Sequence, residues 1–169
     1  MQKNVMEYLE QTVRRVPDKT AYANETYGIT FRQVYDQSRS VGSFLHREGY
    51  AGEPIVVFMK RHPKAIVAFY GVVYAGCYYV PIDEEMPRQR IELIFQNLKP
   101  RAVLCDEKTE KSMEGFPFHG KIYSFEELIR EPADHKALSG IRDRQIDLDP
   151  VYIVFTSGST GVPKGVVAC

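Results

Sequence analysis

Apolar residues along this chain recur with two alternating periods, and the alternation predicts its elements. Val5, Met6, Leu9 and Val13 lie three and four residues apart ahead of Val16-Pro17, the spacing of one face of a helix. A short extended run, Thr20 to Ala23, comes next, and the turn residues Asn24 and Gly28 lead to Thr30. Thr30 and Gln33 have capping-box spacing, so a second helix is predicted from there to about His46, with Phe31, Val34, Val41 and Leu45 inward. Gly49 and Gly52 close it, and the apolar run Pro54 to Met59 has strand length. Pro63 suits the first turn of a third helix, which places Ile66, Phe69, Tyr70 and Val73 on one face. Tyr78 to Ile82 is a short extended segment that Pro81 confines to an edge or a terminus. A fourth helix begins near Pro87 with Ile91, Ile94, Phe95 and Leu98 on its packed face, stops at Lys99-Pro100, and gives way to a strand at Arg101 to Cys105.

The pattern weakens from Asp106 to Pro150. A brief strand at Lys121 to Tyr123 precedes Ser124 and Glu127, whose spacing predicts a capping box on a short helix to about Arg130. Glu131 to Asp149 is polar and reads as loop. Val151 to Phe155 is an apolar run after Asp149-Pro150 and is expected to be a buried strand; Val166 to Cys169 reads as the start of another strand that has no sheet partner. Strands alternating with helices place the chain in the α/β class, without internal repeat, coiled coil or low-complexity tract.

Composition narrows the function classes. With 169 residues, 44% hydrophobic and 26% charged, the chain can bury the core of one domain. Lysine plus arginine equals aspartate plus glutamate at 22 each, so no overall field favours nucleic acid or an anionic membrane. Met1-Gln-Lys-Asn runs straight into the first helix without the apolar core of a signal peptide, and no apolar run is long enough to span a bilayer, so the expected location is the cytoplasm. Cys77, Cys105 and Cys169 are widely spaced and read as buried thiols; His46, His62, His119 and His135 are equally scattered, and no metal site is assigned to protein ligands. The basic run Lys60 to Lys64 reads as a solvated corner, and Asp83, Glu84 and Glu85 as charges suited to the positive end of the fourth helix. The tyrosines at 70, 74, 78 and 79 are expected to pack in the core.

Candidate chemistry concentrates after the strand at 151–155. Gly158, Gly161 and Gly165 permit backbone conformations that turn successive N–H groups toward one anion, and Thr156, Ser157, Ser159 and Thr160 interleave four hydroxyl donors with them. Lys164 adds a compact positive charge after Pro163 has restricted the backbone of Val162. This is a polyphosphate cradle, and not the Walker type: the lysine lies three residues after Gly161 and is followed by Gly165 in place of Ser or Thr.

The string Tyr152 to Gly165, Tyr-Ile-Val-Phe-Thr-Ser-Gly-Ser-Thr-Gly-Val-Pro-Lys-Gly, resembles the signature loop of the adenylate-forming enzymes, which include acyl-CoA synthetases, luciferases and the amino-acid adenylation domains of peptide synthetases. Ala75 to Asp83 resembles the second core motif of the adenylation domains, Ile29 to Val34 their first with conservative departures at Phe31, Gln33 and Val34, and Pro87 to Ile91 their Pro-x-x-Arg-Ile pattern. The resemblance spans Ile29 to Gly165 and favours the amino-acid-activating branch, either a stand-alone activator similar to the D-alanine ligases that load a carrier protein or an initiation module.

That resemblance implies a fold, a reaction and roles. Residues 1–169 would be the N-terminal portion of an adenylation domain, cut just after the signature loop, with an incomplete sheet. The reaction would be attack of a carboxylate on the α-phosphate of ATP, with Mg2+ and release of pyrophosphate, then transfer to a thiol such as the phosphopantetheine of a carrier protein. The loop Thr156, Ser157, Gly158, Ser159, Thr160, Gly161 and Lys164 would hold the β- and γ-phosphates, with Lys164 screening the leaving group. The groups that hold adenine, ribose, magnesium and the substrate carboxylate lie downstream of this loop in the family, so the chain alone is expected to be inactive. A non-catalytic remnant and a piece of an acyl-CoA synthetase are the alternatives.

Overall fold

A computed structural model describes residues 4–156 and 163–169. Helix α1 (Val5–Arg15) is capped by Asn4, whose side chain accepts the Glu7 N–H, and it buries Met6, Leu9 and Val13. Strands β1 (Thr20–Ala23) and β2 (Gly28–Thr30) form an antiparallel ribbon. Its turn is held by the Asn24 carboxamide oxygen, which accepts the N–H groups of Thr26 and Tyr27 at 3.0 and 2.8 Å. Helix α2 (Phe31–Arg47) starts at Thr30 with both halves of the capping box present. Then follow β3 (Pro54–Phe58), α3 (Pro63–Tyr74), β4 (Tyr78–Ile82), α4 (Arg88–Leu98), β5 (Ala102–Cys105), β6 (Lys121–Ser124), α5 (Phe125–Leu128), α6 (His135–Arg142), β7 (Tyr152–Thr156) and β8 (Lys164–Ala168).

The main sheet has the order β6-β5-β3-β4-β7-β8. All neighbours are parallel except β8, which runs antiparallel to β7. Because side chains alternate across a strand, Ile55 and Val57 of β3 face one core with α1, α2 and α3, whereas Val56 and Phe58 face a second core with Ile91, Ile94 and Phe95 of α4. The first core depends on close contact between α2 and α3. A Cβ placed on Gly71 would lie 2.5 Å from Val41 Cγ1, and one on Gly42 would lie 2.6 Å from Tyr74 Cβ.

Several expectations need correction. The segment 131–149 holds a helix, α6, capped by Asp134, with Leu138 and Ile141 buried; Arg142 ties it to Glu7 and Glu10 of α1 at 3.3 Å each. Ser124 precedes α5 without a side-chain cap bond, so the expected capping box is not formed. The most buried face of α3 is Val67, Ala68, Gly71 and Val72, while Ile66, Phe69 and Tyr70 are half-buried, since α2 rather than the sheet makes the tightest contact. Of the tyrosines expected in the core, Tyr74 is buried there and Tyr70 and Tyr79 pack against it half-buried, Tyr79 stacking between Phe69 and Tyr152 at centroid distances of 4.2 and 5.5 Å, while Tyr78 is only half-buried and belongs to neither core. Cys77 and Cys105 are buried but Cys169 is exposed.

The acidic triplet does not cap α4: Asp83 pairs with Arg61, and Glu84 and Glu85 pair with Lys60, so the basic corner after β3 is neutralised by the loop after β4. Strand β7 is not buried, because α3 and α4 cover only the middle of the sheet and leave Val154 at 42% exposure. The final strand begins at Lys164, two residues earlier than expected, and has a partner: it pairs with β7 from Thr156↔Lys164 to Tyr152↔Ala168. Strand β4 is interior despite Pro81, for a reason that bears on the site.

Candidate phosphate-loop site

The loop springs from the carboxyl end of β7 and returns into β8. Residues Ser157, Gly158, Ser159, Thr160 and Gly161 lie outside the described residues; its two ends, Thr156 and Lys164, are described and face each other as the terminal pair of the β7–β8 ladder. The Thr156 hydroxyl donates to the Lys164 carbonyl at 3.4 Å, a weak closure of the loop's neck. Lys164 is exposed, and among the described residues its ammonium has no ion-pair partner, so its charge is available to an anion. Pro163, just before it, is buried.

Gly165 serves a different purpose from the one expected. Its φ is not in the left-handed region; instead a Cβ there would lie 2.9 Å from Ile153 Cγ2 and 3.4 Å from the Phe155 ring. A side chain at this position would have to displace β7 side chains next to the loop's neck. The missing Cβ therefore allows close packing across the ladder beside Lys164.

The carboxyl ends of β3 and β4 border the same edge of the sheet. After β3 the chain turns into α3 on one face, and after β4 it turns into α4 on the other, which opens a crevice between the two strand ends. That crevice has a volume of about 650 Å³ and is lined by Met59, His62, Phe69, Ile82 and Met86, with Lys60 at its rim. His62 caps α3, its Nδ1 accepting the Lys64 N–H at 3.2 Å, and its ring lies 4.9 Å from that of Tyr27. Burial, then the nearby Lys64 charge, pushes the imidazole below its ordinary pKa. Burial also opposes the charge on Lys64 itself, but the Glu126 carboxylate at 2.5 Å outweighs it and raises the ammonium pKa.

One residue that joins this region to the loop was not singled out for it in the sequence. Arg90, in the first turn of α4, donates from Nη2 to the Phe155 carbonyl at 2.9 Å, immediately before Thr156. The Pro-x-x-Arg-Ile spacing marked the residue, but its partner is 65 positions away and no local pattern reveals it.

The family profile described as AMP-binding enzyme matches residues 9–168. The chain belongs to the AMP-binding enzyme family. Among its relatives is the D-alanine--D-alanyl carrier protein ligase of Staphylococcus aureus strain JH9, 35% identical over 153 residues, which are 89% of this chain and 29% of that protein. The chain thus spans less than a third of the length of these ligase relatives. The fold is shared with the nonribosomal peptide synthetase FmoA3 (TM-score 0.83, 22% identity, all of this chain and 18% of that one). It is shared also with VinN (TM-score 0.79, 22% identity, 99% and 46%) and with the N-terminal subdomain of Klebsiella oxytoca NpsA (TM-score 0.77, 23% identity, 98% and 41%). The alternation of strands and helices is thus the fold that these structures share with the chain. No helix of the described residues is long and apolar enough to cross a membrane.

Proposed function

We propose that this chain supplies the ATP phosphate-binding loop of a cytoplasmic enzyme that activates a carboxylate, an amino acid, as its acyl-adenylate. A carboxylate oxygen attacks the α-phosphorus of ATP, the bond to the β-phosphate oxygen breaks, and pyrophosphate leaves. The acyl carbon then passes to a carrier-protein phosphopantetheine thiol as AMP departs. Residues 1–169 are, on this reading, the N-terminal portion of the adenylation domain.

The observation that supports it is the neck of the loop. A parallel sheet delivers Thr156 at its carboxyl edge, an antiparallel return brings Lys164 opposite, and the lysine's charge is exposed and unpaired among the described residues. Thr156, Ser157, Ser159 and Thr160 would donate to the β- and γ-phosphates, Gly158 and Gly161 would let the backbone approach them, and Lys164 would neutralise charge that grows as pyrophosphate leaves. Mg2+ would accompany the nucleotide, where it offsets phosphate charge. The choice of an amino acid and of a carrier acceptor rests on the likeness to the D-alanine--D-alanyl carrier protein ligase.

The test is amino-acid-dependent exchange of pyrophosphate into ATP, run on the protein with this chain continued to the length of its relatives. Exchange with one or a few amino acids is expected, and none from the 169-residue chain alone. No exchange with any amino acid, together with thioester formation from free CoA and another carboxylic acid, would replace the carrier-loading reading with the CoA-forming one.

A further inference from the structure

The gap between β4 and β7, and the residue that spans it, assign Arg90 a part in the phosphate site. Tyr79 of β4 donates its N–H to the Val151 carbonyl at 3.1 Å, and Tyr79↔Tyr152 is the one registered pair between these strands. In a parallel ladder every second residue of a strand faces the same neighbour, so the next β4 position that faces β7 is Pro81. Proline has no N–H to give. The ladder stops there, although β4 continues in register with β3 through Ile82. On β7, the carbonyls that face β4 recur at Val151, Ile153 and Phe155 by the same alternation. Beyond Pro81, the Phe155 carbonyl is met by the Arg90 guanidinium at 2.9 Å in place of a strand donor.

We infer that Arg90 is a positioning residue for the phosphate loop: it fastens the end of β7 where Pro81 has released it from β4, and so fixes where Thr156 and the loop begin. The inference rests on the phosphate-loop reading for its catalytic meaning, but its structural content stands without it. Proline at 81 and arginine at 90 act together. The proline keeps β4 from zipping up to the loop, and the planar, permanently charged guanidinium restores one strong bond at the end of the released stretch. Because α4 starts from the loop after β4, the contact also ties the loop's base to the crevice lined by Ile82 and Met86, so a shift at that crevice has a direct route to the neck of the phosphate loop.

The experiment compares Arg90→Met and Arg90→Lys with wild type, in the protein with this chain continued to the length of its relatives, by hydrogen exchange read by mass spectrometry and by calorimetric titration with inorganic pyrophosphate. Arg90→Met is expected to speed exchange in the β7–β8 end, Phe155 to Gly165, by roughly tenfold, the loss expected for one hydrogen bond from a charged donor. Exchange in β3, β5 and at Tyr152 should stay unchanged, pyrophosphate affinity should fall by a similar factor, and Arg90→Lys should restore part of both. Unchanged exchange at the β7–β8 end, or an equal rise across the whole sheet, overturns the positioning role. Local exchange that responds to Arg90 in a wild-type protein, continued to the length of its relatives, that binds no pyrophosphate upholds the positioning role and instead removes the phosphate-loop reading.

Discussion

Single residues of this chain show where local chemistry suffices and where it does not. Thr30 and Gln33 close a capping box because every atom involved lies within four residues, and the sequence states it. Gly165 is the contrary case: its glycine is demanded by Ile153 and Phe155 on the facing strand, a contact visible only after the chain has folded back. His62 carries a prediction at this scale. Its folded pKa lies below the ordinary value of 6.5, since burial and Lys64 disfavour the imidazolium more than Asp106 and Glu126 favour it, with Lys108 adding to the repulsion. The unfolded chain therefore binds the extra proton as pH falls. The stabilisation His62 gives is fully present above about pH 6.5 and is lost as pH drops through its folded pKa. His62→Asn keeps a side-chain acceptor for the cap and removes the titration. The variant should lose less stability than wild type between about pH 7 and pH 5 in denaturant melts; identical losses would mean that His62 does not titrate with folding.

At the scale of elements, the strongly periodic helices were legible and the weakly periodic one was not. Met6, Leu9 and Val13 make α1 plain, whereas α6 has Leu138 and Ile141 as its buried anchors within a polar stretch and completes its packing against other helices. Its Asp134 cap was the available local signal. Strand β4 is legible in extent; of the edge or terminus that Pro81 suggests, the structure has the proline next to the strand's carboxyl terminus in an interior strand, where it shortens the ladder to β7 and Arg90 spans the break. The α2–α3 contact was also hidden, because a glycine in a helix signals nothing about which helix approaches it. Gly71→Ala would gain helix propensity but place Cβ 2.5 Å from Val41 Cγ1. Overpacking should win, with a net destabilisation of about 1–3 kcal/mol in urea unfolding, and a neutral or stabilising result would contradict the packing described for this pair.

For the whole molecule, the informative feature is where the apolar cover ends. The interior strands β3 and β5 are sealed on both faces, while β7 and β8 carry Val154, Val166 and Val167 at 42%, 55% and 53% exposure. Among the described residues β8 has no outer neighbour, and an open edge beside these side chains invites association between chains. The 169-residue chain should self-associate as its concentration rises and bind a hydrophobic dye, and Val166→Lys with Val167→Lys should reduce both. A monomer without dye binding at high concentration would show that this face is closed in solution. The same geometry explains why the strand at 151–155 looked buried from its composition: an apolar run states what a strand can pack against, not whether anything covers it.

The central claim is that the loop between Thr156 and Lys164 acts on the departing phosphates, and one measurement tests it most directly. Single-turnover adenylate formation at saturating ATP and amino acid should be compared for wild type and Lys164→Ala, in the protein with this chain continued to the length of its relatives. Loss of one preorganised charge contact predicts a rate decrease of about 2.7–4 kcal/mol, roughly a hundredfold to a thousandfold, with amino-acid affinity nearly unchanged. An unaltered single-turnover rate, or a loss confined to amino-acid binding, would contradict it.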